Sequence, residues 1–281
     1  MPVRMIVDST FDAIPAIKDR LTIVPLTLHF GEEEFIDGVT INHKKFYEKL
    51  IETDVLPTTS QATPAAFEEA FKKVAEAGES AVVLTISGKL SGTWQSAVIA
   101  AQDYENIYVV DSDTVTIGAG ILAELALRLA DSGMEAKEIA EALEKEKKKI
   151  HIVAMVDTLE YLKKGGRISK AVAFAGSVLN IKPVLSVAEG EIQILGKARG
   201  SKQGNNLLVT EIEKAGGVDF EKPVLLGYTG LSDVLLQKYM EDSRDLWANS
   251  KTALNVTAIG SVIGTHVGPG AIAAAFFRKE N

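Results

Sequence analysis

The feature that most limits what this chain can fold into is a pairing repeated through its first half. A short apolar, β-branched run is followed by a stretch with helical spacing. Residues 3–7, 22–28, 81–86 and 107–110 are such runs, and each reads as a strand. Several end in Asp, Ser or Gly, where a parallel sheet places its carboxyl-end loops. The intervening stretches carry helix signals. Thr63 reads as an N-cap with Pro64 in the first helical position. Phe67, Ala70, Phe71 and Val74 fall on one face, and Gly78 marks a stop. A second helix is predicted from residues 91–93, with Trp94, Ala97, Val98 and Ala101 on its apolar face. A third follows Thr116, and a fourth, residues 136–149, is dense in charge and predicted to face solvent. Asp8-Ser9-Thr10 reads as a cap for the first helix. The pattern is that of an α/β layer structure with right-handed crossovers.

Beyond about residue 157 the texture changes. Residues 157–164 form a short helix stopped by Gly165-Gly166, and residues 169–179 are a helical stretch rich in small residues. Runs at 183–187 and 191–195 flank Glu189-Gly190, the pattern of a β-hairpin. Further strands fall at 223–228, 255–259 and 272–277, with helices around 207–215 and 232–249. Paired strands with helices on one side predict an α+β unit. A chain of 281 residues exceeds most single cores. The expected division is an amino-terminal parallel-sheet α/β/α domain, residues 1–157, and a smaller carboxy-terminal α+β domain with a mixed sheet, residues 158–281. A cleft between them is the expected ligand site.

Composition removes several function classes. The formal net charge is −8 and the basic residues form no long cluster, which argues against a nucleic-acid surface. No helix-turn-helix signature is present. With no cysteine, disulfides, thiolate catalysis and Cys-based zinc sites are excluded. The opening MPVRMIVDST reads as a first strand and not as a signal peptide. No apolar run approaches the roughly 20 residues that span a bilayer, so a cytoplasmic location is expected. There is no P-loop, metal motif or nucleotide fingerprint.

Three stretches carry the chemistry: TSQATP at 59–64, LSGTWQSA at 90–97 and IGTHVGPGA at 263–271. Each sets hydroxyls beside a sharp turn, and two lie just before a helix start. Hydroxyls and free N–H groups at a helix start cradle an anion without a metal, and His266 adds a proton-dependent donor. The same residues have plainer readings. Thr63, Ser91 and Thr93 are also good caps, and His29, His43 and His151 have no partner motif and read as structural. Ser91, His266 and Asp8 or Asp111 supply the residue types of a serine hydrolase. However, LSGTW is not a G-x-S-x-G elbow, and no spacing sets a base beside the serine.

Further motifs make a resemblance specific. Asp8-Ser9-Thr10, Thr59-Ser60-Gln61, Leu90-Ser91-Gly92-Thr93, Asp111-Ser112, residues 162–168 (LKKGGRI) and residues 263–270 (IGTHVGPG) occur in order along nearly the whole chain. In this the chain resembles the DegV family of bacterial fatty-acid-binding proteins, carrier subunits of fatty acid kinase. The resemblance implies a fold related to the dihydroxyacetone-kinase substrate domain. It also implies a long-chain fatty acid in an apolar tunnel with its carboxylate at the inter-domain cleft. A separate ATP-dependent kinase subunit would phosphorylate that carboxylate to an acyl phosphate. The head group would be held by Thr59 or Ser60, by Ser91 or Thr93 with Gly92, and by His266 with Thr265.

On this reading the chain has no catalytic residue, metal or cofactor of its own, and its membrane contact is at most transient, for lipid exchange. A protonated His266 is expected to steady the carboxylate. Small apolar residues at 171–179 and 271–277 are candidates for the tail channel. Arg167, Arg199 and Lys202 are candidates for the cleft mouth or the kinase contact. Many relatives carry a dense basic run after the hairpin, whereas Lys197-Ala198-Arg199-Gly200-Ser201-Lys202-Gln203 holds fewer charges, which implies a weaker or altered kinase footprint. The alternatives are a small polar or phosphorylated metabolite in the same fold, and a serine hydrolase.

Overall fold

Pro25 decides where the chain leaves its first sheet. The run at 22–28, expected as one strand, is two, because proline lacks the N–H a ladder needs and fixes its own φ. The computed structural model describes residues 2–168, 180–250 and 253–279. In chain order the first half runs β1 (Val3–Asp8), α1 (Pro15–Lys18), β2 (Leu21–Val24), β3 (Thr27–Phe30), β4 (Glu33–Ile36), α2 (His43–Glu52) and β5 (Thr58–Ser60). It continues through α3 (Pro64–Glu76), β6 (Ser80–Thr85), α4 (Thr93–Ala100), β7 (Ile107–Asp111), α5 (Thr116–Asp131) and α6 (Ala136–Glu146). The remainder runs β8 (Ile150–Met155), α7 (Glu160–Lys164), β9 (Ile181–Ala188), β10 (Glu191–Arg199) and α8 (Gly200–Lys214). It ends with β11 (Leu225–Tyr228), α9 (Val234–Asp242), α10 (Arg244–Trp247), β12 (Asn255–Ala258), α11 (Ser261–Val267) and β13 (Ile272–Phe277).

The expected parallel sheet is present, in the order β2-β1-β6-β7. Its central strand β6 is buried at every residue, as a parallel sheet covered on both faces requires. The second sheet, β10-β9-β8-β13-β11-β12, is mixed, with only β11 and β12 parallel. Sheet membership changes before β8, so the expected division at residue 157 falls after a strand that pairs only with β9 and β13. A small antiparallel sheet, β4-β3-β5, was not legible as a separate unit. It begins where Pro25 releases the chain, and it carries Thr59 and Ser60.

One helix ties the two large sheets together. α5 packs against β1 and β6 on one side and β8, β11 and β13 on the other, and residues 116–124 are all buried. A helix apolar all round belongs in an interior. Close packing relies on Gly120, where a Cβ would collide with the Asp12 carbonyl. The core around α5 therefore joins Val7 and Leu84 to Ile152, Leu225 and Ala275.

Local signals hold in several places. Thr63 Oγ1 accepts from Ala66 N at 3.3 Å as an N-cap. Glu189 and Gly190 both have positive φ in the β9–β10 turn, as a two-residue hairpin demands. Others differ. α4 buries Thr93, Ser96 and Ala97, with Trp94 and Val98 only partly covered, because its inner face is set by the site it closes. α6 buries Ile139, Ala140 and Leu143 beneath its charged outer face. Asp8-Ser9-Thr10 caps no helix: the first begins at Pro15 behind Ile14, without a side-chain cap. The helical stretch expected at 169–179 lies outside the described residues.

Asp8 instead accepts from Ile86 N at 2.7 Å and from the Thr10 N–H and hydroxyl. It is one of three buried aspartates in this region, with Asp12 and Asp37. Burial, only partly offset by hydrogen bonds, pushes Asp8 and Asp37 up to about 6 and Asp12 up to about 7. Unfolded aspartates release their protons near 3.8. Between these limits the folded protein holds protons that the unfolded chain has lost, so stability falls as pH rises through the window. Urea unfolding is expected to show a higher midpoint near pH 5 than near pH 8, the three aspartates outweighing His43, His151 and His266, whose depressed values act in the opposite direction; an unchanged or lower midpoint near pH 5 contradicts that balance.

Candidate functional site

The loop after β6 is held in place before any ligand is considered. Asp8 takes the Ile86 N–H, and Asp111 Oδ2 takes the Gly88 N–H at 3.0 Å. Ser87 N donates to Thr114 O at 3.0 Å, while Leu90 N and Ser91 N both return to Ser87 O. Ser87 Oγ donates to Gly190 O at 2.9 Å, tying the tip of the β9–β10 hairpin to this loop. The result fixes Ser91 at the carboxyl end of β6, where a parallel sheet gathers its ligand loops.

Ser91, Thr59 and His266 line one cavity of about 320 Å³, together with Gln61, Gly92, Arg167 and a set of apolar residues. An adjoining pocket shares Val115, Leu162, Ile192, Ile263 and Val267 and extends to Ile152, Leu185 and Ala273. The polar groups therefore sit beside an adjoining apolar region, whose walls come from the mixed sheet, α7, α11 and the loops that follow β6 and β7.

Strand alternation resolves the first pair left open by the sequence. Thr59 faces inward, with Oγ1 2.8 Å from His266 Nε2. Ser60 also borders the cavity, but its hydroxyl turns to the other side of the strand, with Oγ 2.8 Å from His29 Nε2. His29, read as structural, thus holds the back of the same strand. In the second pair Ser91 lines the cavity and Thr93 supports it from a fully buried position. The Ser91 and Thr93 hydroxyls lie 2.9 Å apart, and Ser91 Oγ accepts from Thr93 N at 3.3 Å. Gln61 links the two motifs: its Nε2 donates to Ser96 Oγ at 2.9 Å. A Cβ on Gly92 would collide with the Gln61 carboxamide, so Gly92 serves packing in addition to the cradle. Thr265 does not line the cavity. Its hydroxyl donates to Ser261 O within α11.

His266 is not a cation here. Burial, and then the nearby Arg167 charge, push its imidazole down to about 4, so the ring is neutral at pH 7, contrary to the expected protonated form. Its Nδ1 is buried with no hydrogen-bond partner among the described residues, and a buried orphan donor costs more than an orphan acceptor. This assigns the proton to Nε2, which donates to Thr59 Oγ1. The Thr59 hydroxyl is then left to donate its own proton into the cavity.

Arg167 follows the Gly165-Gly166 stop of α7. Its Nε donates to Leu90 O at 3.1 Å and its Nη1 to Gly165 O at 2.6 Å. Among the described residues it has no carboxylate partner, and burial lowers its pKa. It also lines an outward-opening cavity with Lys89 and Glu191, so its charge lies between the interior and the surface. Arg199 and Lys202 are exposed at the β10–α8 junction and do not line the main cavity.

The hydrolase constellation is not assembled. Ser91 pairs with Thr93, His266 with Thr59, Asp8 with Thr10 and Ile86, and Asp111 with Gly88 and Asp113. No group of three or more His, Asp or Glu able to hold a metal occurs among the described residues. No helix among them is long and apolar enough to cross a membrane.

Gly165 is the site residue that sequence reasoning missed. Read as a helix stop, it also packs against His266, where a Cβ would collide with Nδ1. Its φ of −70° suits alanine, so Gly165→Ala tests the contact alone. The added methyl is expected to displace the ring and destabilise the fold by about 1–3 kcal/mol, as overpacking does. Equal thermal unfolding temperatures for mutant and wild type would show that the ring has room to move.

Comparison with known proteins relates the chain as a whole to one family and one fold. The family model described as "Uncharacterised protein, DegV family" matches residues 2–279. A DegV domain-containing protein of Caldanaerobacter subterraneus is 34% identical over 266 residues, 92% of this chain and 91% of its own length. Among solved structures, a fatty-acid-binding DegV family protein from Thermus thermophilus has a TM-score of 0.86 and 30% identity, covering 99% of this chain and 100% of that one. A stearic-acid-binding protein from Eubacterium ventriosum has a TM-score of 0.87 and 26% identity, covering 99% and 98%.

Proposed function

This chain belongs to the DegV family, and on that premise we propose that it holds a long-chain fatty acid and presents the carboxylate to a separate ATP-dependent kinase subunit. The observation that carries the reading is the pairing of two hydroxyls, Thr59 and Ser91, with an apolar space behind them. The Thermus protein is described as binding fatty acid and the Eubacterium protein as binding stearic acid, and stearic acid has the matching form, a carboxylate on a long hydrocarbon tail.

The energetics favour this division of labour. Each buried CH₂ contributes about 0.8 kcal/mol, so a tail of about sixteen carbons supplies most of the affinity, even after the cost of association. The head group then needs orientation more than strength. The His266 Nε2–H directs the Thr59 proton toward the carboxylate. The Ser91 and Thr93 hydroxyls share one hydrogen bond in which either can donate; with Thr93 as the donor, the Ser91 proton is free to point there as well. Two neutral donors hold one carboxylate without the bidentate arginine clamp that would quench its nucleophilicity.

Arg167 has two of its nitrogens committed to backbone carbonyls, and it supplies positive charge toward the outer opening. That is where a transferred phosphoryl group adds negative charge. Arg199 and Lys202, exposed beyond the cavity, are assigned to the kinase contact. On this reading the chain acts as carrier, and the kinase supplies the groups for phosphoryl transfer.

Native mass spectrometry of gently purified protein is expected to reveal a co-purified long-chain fatty acid, and finding only a small polar ligand would sink the reading. With the cognate kinase, Arg199→Ala is expected to lower acyl-phosphate formation while leaving fatty-acid affinity unchanged, and equal turnover removes Arg199 from the contact. His266→Ala is expected to weaken fatty-acid binding about ten-fold, the equivalent of one lost buried hydrogen bond. Unchanged affinity and turnover would make the histidine only structural. A fluorophosphonate probe is expected to leave Ser91 unlabelled; labelling there would favour a hydrolase.

A further inference from the structure

α11 is a seven-residue helix that carries His266 in its last turn. A helix this short does not hold itself in place. Its N-cap is Gly260, which offers no side chain to satisfy the first-turn donors. The acceptor comes from elsewhere in the chain. Asp12 Oδ1 accepts the Gly260 N–H at 2.9 Å, and its other oxygen, Oδ2, accepts the Thr116 hydroxyl at 2.6 Å. One carboxylate thus joins the start of α11 to the start of α5.

Both attachments bear on the ligand cavity. Thr116 is a β-branched residue at φ +50°, a conformation that needs outside support, and the residue before it, Val115, lines the cavity. Gly260 and His266 lie six residues apart on α11, about 9 Å at 1.5 Å per residue. We propose that Asp12 is a positioning residue of the head-group site, acting through α11 on His266 from the other end of that helix.

The charge of Lys18 of α1 acts on Asp12, and that of Asp37 opposes it. Tyr47 of α2 donates to Ile259 O beside it, and His43 shares with it a separate solvent-facing cavity of about 420 Å³. A buried carboxylate held this far above its ordinary range makes the fold less stable at neutral pH, as expected of a group retained for what it positions.

The inference rests on the fatty-acid reading only for what His266 serves; its primary readout needs no ligand. In wild type, imidazole NMR is expected to show His266 neutral with its proton on Nε2 until about pH 4. Asp12→Ala removes both hydrogen bonds. It is expected to raise the His266 midpoint by at least about one pH unit, toward the ordinary histidine value, and to weaken hexadecanoic acid binding about ten-fold. Asp12→Asn keeps an acceptor for Gly260 and offers a donor to Thr116. It is expected to restore both readouts to within about three-fold of wild type.

Should Asp12→Ala fail to fold, Thr116→Val removes one attachment at constant volume and is expected to give an intermediate shift. An unmoved His266 resonance in the variant that folds overturns the inference, even where the melting temperature drops. A wild-type protein that does not bind hexadecanoic acid overturns the fatty-acid reading and leaves the NMR result to decide this one.

Discussion

The hydrogen bond between Thr59 and His266 is the contact on which the site depends. It joins β5 of the small antiparallel sheet to α11, which follows β12 of the mixed sheet. Neither residue would have a defined direction without the other. Removed from the ring, the Thr59 hydroxyl is free to donate or accept; removed from Thr59, the ring has no hydrogen-bond partner among the described residues. The pair turns two amphoteric groups into one directed donor, which is what an anion head group requires. The supports converge on it: Gly165 packs one side of the ring, Asp12 anchors the far end of its helix, and His29 backs the strand.

What the sequence disclosed and what it concealed follow the range of the interactions. Thr63, Glu189-Gly190 and the Gly165-Gly166 stop are set within a few residues and were readable. That β1, β6 and β7 belong to a parallel sheet followed from the strand–helix alternation, while their order did not. Pro25 was in plain view, yet the apolar run around it outweighed it, and the small sheet was lost. Asp8 resembled a cap because its true partner, Ile86, lies 78 residues away. The motif residues themselves were legible, and their roles were not. Thr59 against Ser60 is a matter of strand register, and Ser91 against Thr93 a matter of which helix face closes the cavity. Thr265 sat beside the histidine in sequence and turned inward to its own helix.

The buried aspartates show a balance between stability and placement. Asp8, Asp12 and Asp37 each accept hydrogen bonds that fix a loop or a helix start. Each also carries a charge the interior disfavours. The fold tolerates that cost because the large shared core around α5 supplies the margin. A site formed by loops from several elements needs such tethers, since none of the loops is held by regular ladders.

The alternation in β5 has a consequence for how this protein could lose function. Consecutive residues, Thr59 and Ser60, serve opposite sides of a three-residue strand, one toward the cavity and one toward His29. A single-residue deletion in the segment between α2 and β5 that shifts the strand by one position would put Ser60 in the place of Thr59 and Gln61 in the place of Ser60. A serine would then meet His266, its hydroxyl still in a pairable place, with little change in buried apolar surface. Such a frame slip leaves the core intact and displaces the donor by the difference between two side chains. Relatives with an altered length in that connection are therefore the ones in which a folded, silent site would arise first.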